Sequence, residues 1–231
     1  MTQGLFMPIY RPPRSDIYTT DFREYVVGIQ PPDWTKRYAT DFTATVETAS
    51  GSLSGRALRW IKPAASRQAL SWDRVPLAAD LDILVRFRAI ASWTDASNFI
   101  SAYARGAGAA GTETGYRNLG YGITTNSRWA AVTGRYVSGT YTPLGSISTG
   151  PSPNYVINEW AWLRFNVSGT SLRRKMWHSA AAEPAAWAET VTDTQVSSAG
   201  WCGLNNAGGN PDTEVDFFGV GLNGQTVPLP V

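Results

Sequence analysis

One cysteine, Cys202, and one histidine, His178, stand in a chain of 231 residues. A lone thiol closes no intrachain disulfide, and one imidazole with one thiol cannot fill a zinc shell. Cys202 sits in the strand-like run Gly200-Trp201-Cys202-Gly203-Leu204 and is expected to be a small buried hydrophobe. Charge is scarce too. Asp, Glu, Lys and Arg make up 16% of the residues and nearly cancel at a net +2, so no whole-molecule field drives nucleic-acid binding. Lysine occurs only as Lys36, Lys62 and Lys175. The other cations are arginines, which suits bidentate contacts but is also what a GC-rich coding genome produces. No run of 18 apolar residues exists, which excludes a helical membrane span. The segment Met1-Thr2-Gln3-Gly4-Leu5-Phe6-Met7-Pro8 has no basic stretch ahead of an apolar run, so no signal peptide is expected. Nucleophile-elbow, Walker and dinucleotide glycine patterns are absent, as are long helix-forming stretches rich in Glu, Lys, Leu and Arg.

What the chain does have is 22 glycines and 12% aromatic residues, a composition that suits short strands joined by tight turns. Residues 159–177 are the most legible stretch. Ala161, Leu163, Phe165 and Val167 alternate with Trp160, Trp162 and Arg164, which places the two sets on opposite faces of a strand. Ser168-Gly169 supplies turn chemistry. The returning strand puts Leu172, Arg174 and Met176 on the first face and Arg173, Lys175 and Trp177 on the second. The first face must pack on another sheet, where Arg174 needs a carboxylate or carbonyl partner. A second clear alternation runs over 80–90, with Leu81, Ile83, Val85 and Phe87 on one side. Further strands are expected at 43–47, 57–61, 98–105, 116–123, 129–137, 144–147, 189–193, 200–205 and 213–220. Residues 64–72 look less regular, and 106–111 and 180–187 read as loops, the latter because of Pro184. Strands without intervening helices predict an all-β, antiparallel two-sheet sandwich. Residues 1–20, with Pro8, Pro12 and Pro13 among Leu5, Phe6, Ile9 and Tyr10, predict an extended arm that docks on its own sandwich or on a neighbouring subunit. Residues 21–231 form the single domain.

The run Trp160-x-Trp162-Leu163-Arg164-Phe165-x-Val167-x-Gly169-x-x-Leu172-x-x-Lys175-Met176-Trp177, followed by Glu183-Pro184-x-x-Trp187, Gly200-Trp201-x-Gly203-Leu204 and Val215-Asp216-Phe217-Phe218-Gly219-Val220-Gly221, resembles the concanavalin A-like lectin/glucanase (laminin-G-like) jelly roll. The versions it resembles occur in bacteriophage virion proteins and bacterial carbohydrate-directed modules. The resemblance implies a lectin-like sandwich in a non-enzymatic virion protein of the tail, spike or head decoration. Such a protein is assembled in the host cytoplasm, attaches to other virion proteins and to copies of itself, and grips a cell-surface polysaccharide. It neither inserts into membranes nor binds nucleic acid. Two alternatives stay open: a stand-alone carbohydrate-binding module, and a glycoside hydrolase or lyase of the same fold built on Glu47, Asp82, Glu214 and Asp216.

Glucanases of this fold carry Glu-x-Asp-x-(x)-Glu on one strand, pairing a nucleophile with an acid/base carboxylate. Glu214-x-Asp216 matches the first two positions, but Phe218 and Gly219 stand where the last carboxylate should be, so no catalytic residue is assigned. The aromatic and basic face of the hairpin is the candidate ligand or partner surface: Trp160, Trp162 and Trp177 as flat platforms, Arg164, Arg173 and Lys175 as donors. A strand, the arm or a sister subunit could equally cover it. Asn205, Asn206, Asn210 and Asp212 offer the hard oxygen ligands that Ca²⁺ takes, within a Gly-rich stretch that also suits ordinary turns; no other cofactor is implied. Trp93, Asp95 and Asn98 form a smaller polar and aromatic cluster.

Overall fold

The computed structural model describes residues 16–61, 67–91, 97–123, 128–146, 148–149, 156–207 and 212–230. Its regular elements are sixteen strands: β1 (Ile17–Thr20), β2 (Trp34–Tyr38), β3 (Thr43–Thr48), β4 (Arg56–Ile61), β5 (Arg67–Trp72), β6 (Leu81–Ala89), β7 (Ser97–Ala107), β8 (Thr114–Ile123), β9 (Arg128–Val137), β10 (Thr140–Pro143), β11 (Ser148–Thr149), β12 (Ala161–Ser168), β13 (Ser171–His178), β14 (Glu189–Thr192), β15 (Trp201–Ala207) and β16 (Thr213–Leu222). They form two eight-stranded antiparallel sheets. The first, sheet A, runs β14-β13-β12-β6-β16-β4-β3 with β1 also on β16; sheet B runs β10-β9-β8-β7-β15-β5-β2 with β11 also on β9. The all-β, antiparallel two-sheet sandwich expected from the strand pattern is therefore what the chain builds.

Alternation sets the core. The hairpin forms in the predicted register, Ala161 opposite His178 through Ser168 opposite Ser171, and Gly169 enters its two-residue turn at φ 54°. Leu163, Phe165 and Val167 join Ile83, Val85 and Phe87 of β6 on the inner face of sheet A. Across from them sheet B contributes Leu70, Ile100, Ala102, Tyr116 and Leu204. Each large side chain removed from water there contributes roughly 1.5–3 kcal/mol. Cys202 is buried among them, and burial pushes its thiol up to about 12.

Arg174 shares that inner face and finds both kinds of partner. Its Nε donates to Glu189 Oε2 at 2.7 Å and its Nη2 to the Ala131 carbonyl at 2.7 Å. Thr133 Oγ1 of sheet B donates to the same Glu189 oxygen at 2.6 Å, so one buried polar strut ties the two sheets together.

A bulge reorganises β16. Val215 lies opposite Phe87 but Phe217, not Asp216, lies opposite Arg86. Val215, Phe218 and Val220 all point into the core, which needs one odd step between 215 and 218. That step leaves Phe217 on the outer face, where it joins Leu84, Trp162, Trp177 and Val227 in a second, smaller apolar cluster.

Several local expectations need correction. Residues 67–72, irregular in sequence, are strand β5, because Gln68 is held by Trp60 Nε1 at 2.8 Å and Leu70 enters the core. The strand expected at 144–147 is not formed at 144–146. The ladder there ends at Pro143, and Leu144 and Gly145 instead donate their amides to the Thr133 carbonyl. The segment 106–111 is partly strand, since Gly106 and Ala107 complete β7. Of the span read as an arm, Ile17–Thr20 pairs with Gly221–Phe218 as β1, and residues 1–15 lie outside the described residues.

Candidate ligand-binding site

All six side chains singled out in the hairpin lie on the outer face of sheet A, and two later segments lie across it. In the tail, the Val227 amide donates to Asp82 Oδ2 at 2.9 Å and its carbonyl accepts from Arg164 Nη2 at 2.8 Å. Gly219 makes room for it, since a Cβ there would collide with the Val227 side chain. The loop after β13 brings Glu183, whose Oε1 lies 2.7 Å from Arg164 Nε and 2.8 Å from Lys175 Nζ. Lys175 Nζ also donates to the Pro184 carbonyl at 2.7 Å. Trp162, stacked on Trp177 at 6.2 Å and edge-on to Phe217 at 5.5 Å, is left 6% exposed.

Among the described residues a cleft opens at each end of the hairpin. The first, of about 530 Å³, is lined by Trp160, Trp177, His178, Pro184 and the small side chains of 180–182. His178 Nδ1 lies 3.7 Å from Glu159 Oε2 at its rim. Trp160 forms its floor but carries Arg86 and Arg88 over its ring at 4.8 and 4.4 Å. The second cleft, of about 410 Å³ near the turn, is more polar and is lined by Asn166, Ser168, Arg173, Lys175, Trp187 and Gln225 among others. Arg173 and Lys175 sit over the half-buried Trp187 ring at 4.9 and 4.8 Å. Thus Trp160 and Trp177 go to the first cleft, Arg164, Arg173 and Lys175 to the second, and Trp162 to neither. Trp187 was not among the predicted site residues. Its sequence signal was Pro184 three positions earlier, which prevents a helix and swings the loop back over β13.

The carboxylates of the hydrolase alternative are engaged elsewhere. Glu214 is fully buried, with Arg59 Nη2 and Arg88 Nη2 each 2.6 Å from its oxygens. Asp216, also fully buried, pairs with Arg86 and accepts the Leu53 amide at 2.9 Å. Burial dominates and lifts its carboxyl to about 7, although Arg86 and the Leu53 amide pull the other way. Asp82 lies opposite Gly221, four residues along β6 from Arg86, so it stands roughly 13 Å from the bulge that holds Asp216. Acid/base pairs in glycosidases are about 5–9.5 Å apart. Glu47 is on edge strand β3, separated from β16 by β4, and accepts from Thr45 Oγ1 at 2.8 Å.

The calcium reading also changes at its two described asparagines. Asn205 and Asn206 are successive residues of β15 rather than part of a loop, so they face opposite sides of sheet B and cannot share one ion. Asn205 Nδ2 donates to the Gln68 carbonyl at 2.8 Å. Asn210 lies outside the described residues, as do Trp93 and Asp95.

No known family model matches this sequence, and no curated protein sequence does. Solved structures do share its fold. A protein of Bacillus subtilis with a galectin-like fold superposes with a TM-score of 0.54 at 9% identity, over 82% of this chain and 89% of its own. A carbohydrate esterase of the Shiga toxin-encoding bacteriophage phi24B gives 0.52 at 15%, over 82% and 90%. The carbohydrate-binding module CBM66 of Bacillus subtilis gives 0.51 at 11%, over 79% and 91%. Two antiparallel sheets closed on an aliphatic and aromatic core, together with these superpositions, show that the chain has a lectin-like jelly-roll fold.

Proposed function

We propose that this domain is a non-catalytic carbohydrate-binding module and that the polar cleft beside Trp187 is where it holds its ligand. The observation that carries this reading is the cleft's composition: one indole beside Asn166, Ser168 and Gln225, with Arg173 and Lys175 as donors. A sugar ring has apolar C–H faces and a rim of hydroxyls, and this mixture meets both. Most of these groups stand on paired strands, which hold them in place before a ligand arrives. The carbohydrate-binding module that shares the fold supports the same reading.

The non-catalytic part is supported by the closure of Glu214 and Asp216 under their arginines. Incubation with bound polysaccharide should release neither reducing ends nor acyl groups, and release abolished by Asp216→Ala would overturn it. A glycan array tests the binding. Trp187→Ala should weaken every hit by about tenfold or more, corresponding to ~1.4 kcal/mol, while leaving the melting temperature close to wild type. Trp162→Ala is the wrong probe, because its ring supports the fold.

We further propose that the module belongs to a phage particle, attaching to other virion proteins and to copies of itself. The phage esterase with the same fold supports this setting. Antibody labelling of purified particles would place the chain on a tail, spike or head, and its absence from washed particles would count against it.

A further inference from the structure

The charges around the polar cleft are matched except at one position. Asp82 pairs with Arg164, and Glu183 with both Arg164 and Lys175. Asp80 is occupied on the turn side, where its Oδ1 accepts the Gly169 amide at 2.8 Å and lies 3.5 Å from Arg105 Nη2. Arg173 alone among these cations hydrogen-bonds only to a neutral partner. Its Nε and Nη2 donate to Asn166 Oδ1 at 3.3 and 2.8 Å, and among the described residues no carboxylate pairs with it. Asn166 occupies one edge of the guanidinium, which leaves the Nη1–Nη2 edge for a bidentate acceptor. The half-buried side chain is held by that bond and by the Trp187 ring, so little freedom is lost when a ligand binds.

We infer that the cleft takes an anionic saccharide, a chain carrying uronate carboxylates, with one carboxylate on Arg173 and the sugar ring beside Trp187. This rests on the carbohydrate-binding reading above and adds the ligand's charge. Asp80, on the turn side of the same cleft, would repel a second carboxylate there, so the acidic residue is fixed in one orientation.

The test uses the full chain and a panel of acidic polysaccharides, each paired with its carboxyl-reduced neutral counterpart, measured by calorimetry. The acidic member should bind about tenfold tighter, the scale of one charge-assisted contact. Raising salt from about 0.1 M to about 1 M, which shortens screening from ~10 Å to ~3 Å, should erase that preference. Arg173→Gln should erase it too while keeping the wild-type melting temperature. Equal binding of both members, lost in Trp187→Ala, would overturn the anionic ligand and leave the carbohydrate-binding reading intact. Binding to no member of the panel would overturn both.

Discussion

Asp216 illustrates how a residue can look catalytic in sequence and be structural in place. The Glu-x-Asp spacing that invites a glucanase comparison puts two carboxylates on the outer face of sheet A, but a ring of arginines closes over both. The consequence of burying Asp216 is a pH signature. Its folded carboxyl sits near 7 against an ordinary value of 3.8, so the folded state binds the proton more tightly than the unfolded chain. Stability from this group is complete below pH ~4 and is lost as pH rises towards and through 7. The melting temperature should therefore decline across that window, and Asp216→Asn should flatten the decline, since an amide carries no proton to lose. Thermal scans from pH 4 to pH 8 check this, and an unchanged slope in the variant would sink the assignment. Arg174 makes a second residue-scale case. Replacing it by Met strands the Glu189 carboxylate and should cost about 3–5 kcal/mol, a fall in melting temperature on the order of 10 °C for a chain of this size. The double change Arg174→Met with Glu189→Gln should recover part of it. The requirement for a partner was readable in the alternation; which carboxylate supplies it was not, because Glu189 reaches Arg174 from the neighbouring edge strand.

Among the elements, the hairpin and β6 were legible because strict period-two patterns with a glycine turn leave few alternatives. Strand β5 was not, since its burial comes from partners far away in sequence: Trp34 opposite Trp72, and Leu204 opposite Leu70. The bulge in β16 was equally hidden. A regular strand would aim Phe217 inward with Val215, and only the register with β6 reveals the extra residue. Glycines in sheet B carried information that composition alone could not decode. Gly106 and Gly115 are needed because the rings of Trp201 and Tyr103 lie flat on the backbone there, stacked 4.8 Å from each other. The C-terminal tail is the element whose role was least visible, as its Pro-bracketed sequence says nothing about what it covers. Val227→Asp should detach it, uncover Trp162 and Phe217, and cost about 3 kcal/mol or more. A red shift in tryptophan emission together with dye binding would report the uncovering; an unshifted spectrum would show that the tail contributes little cover.

At the scale of the molecule, the fold was readable from strand spacing and turn residues; Arg164, Arg173 and Lys175 were legible as members of one face, while the polar cleft they share with Trp187 and Gln225 was not. Folding constrains every core position at once, but a cleft is defined by loops and tail meeting across sheet A, and no short-range pattern encodes that meeting. The buried Cys202 gives a whole-molecule test. With its thiol raised to about 12, it should resist a disulfide reagent in native buffer and react fully in denaturant, at the rate of global unfolding. Rapid native labelling would show that the two sheets separate easily.

The placement of β16 has one more outcome. It lies between β6 and β4 in the middle of sheet A, yet it is the latest in sequence of the described strands, and β1, the earliest of them, also awaits it. Until then half the sheet has no neighbour to close on. Nascent chains should therefore stay protease-sensitive until residues 213–222 have been made, and a stop codon anywhere before residue 213 should yield polypeptides that the cell degrades rather than shortened but serviceable domains.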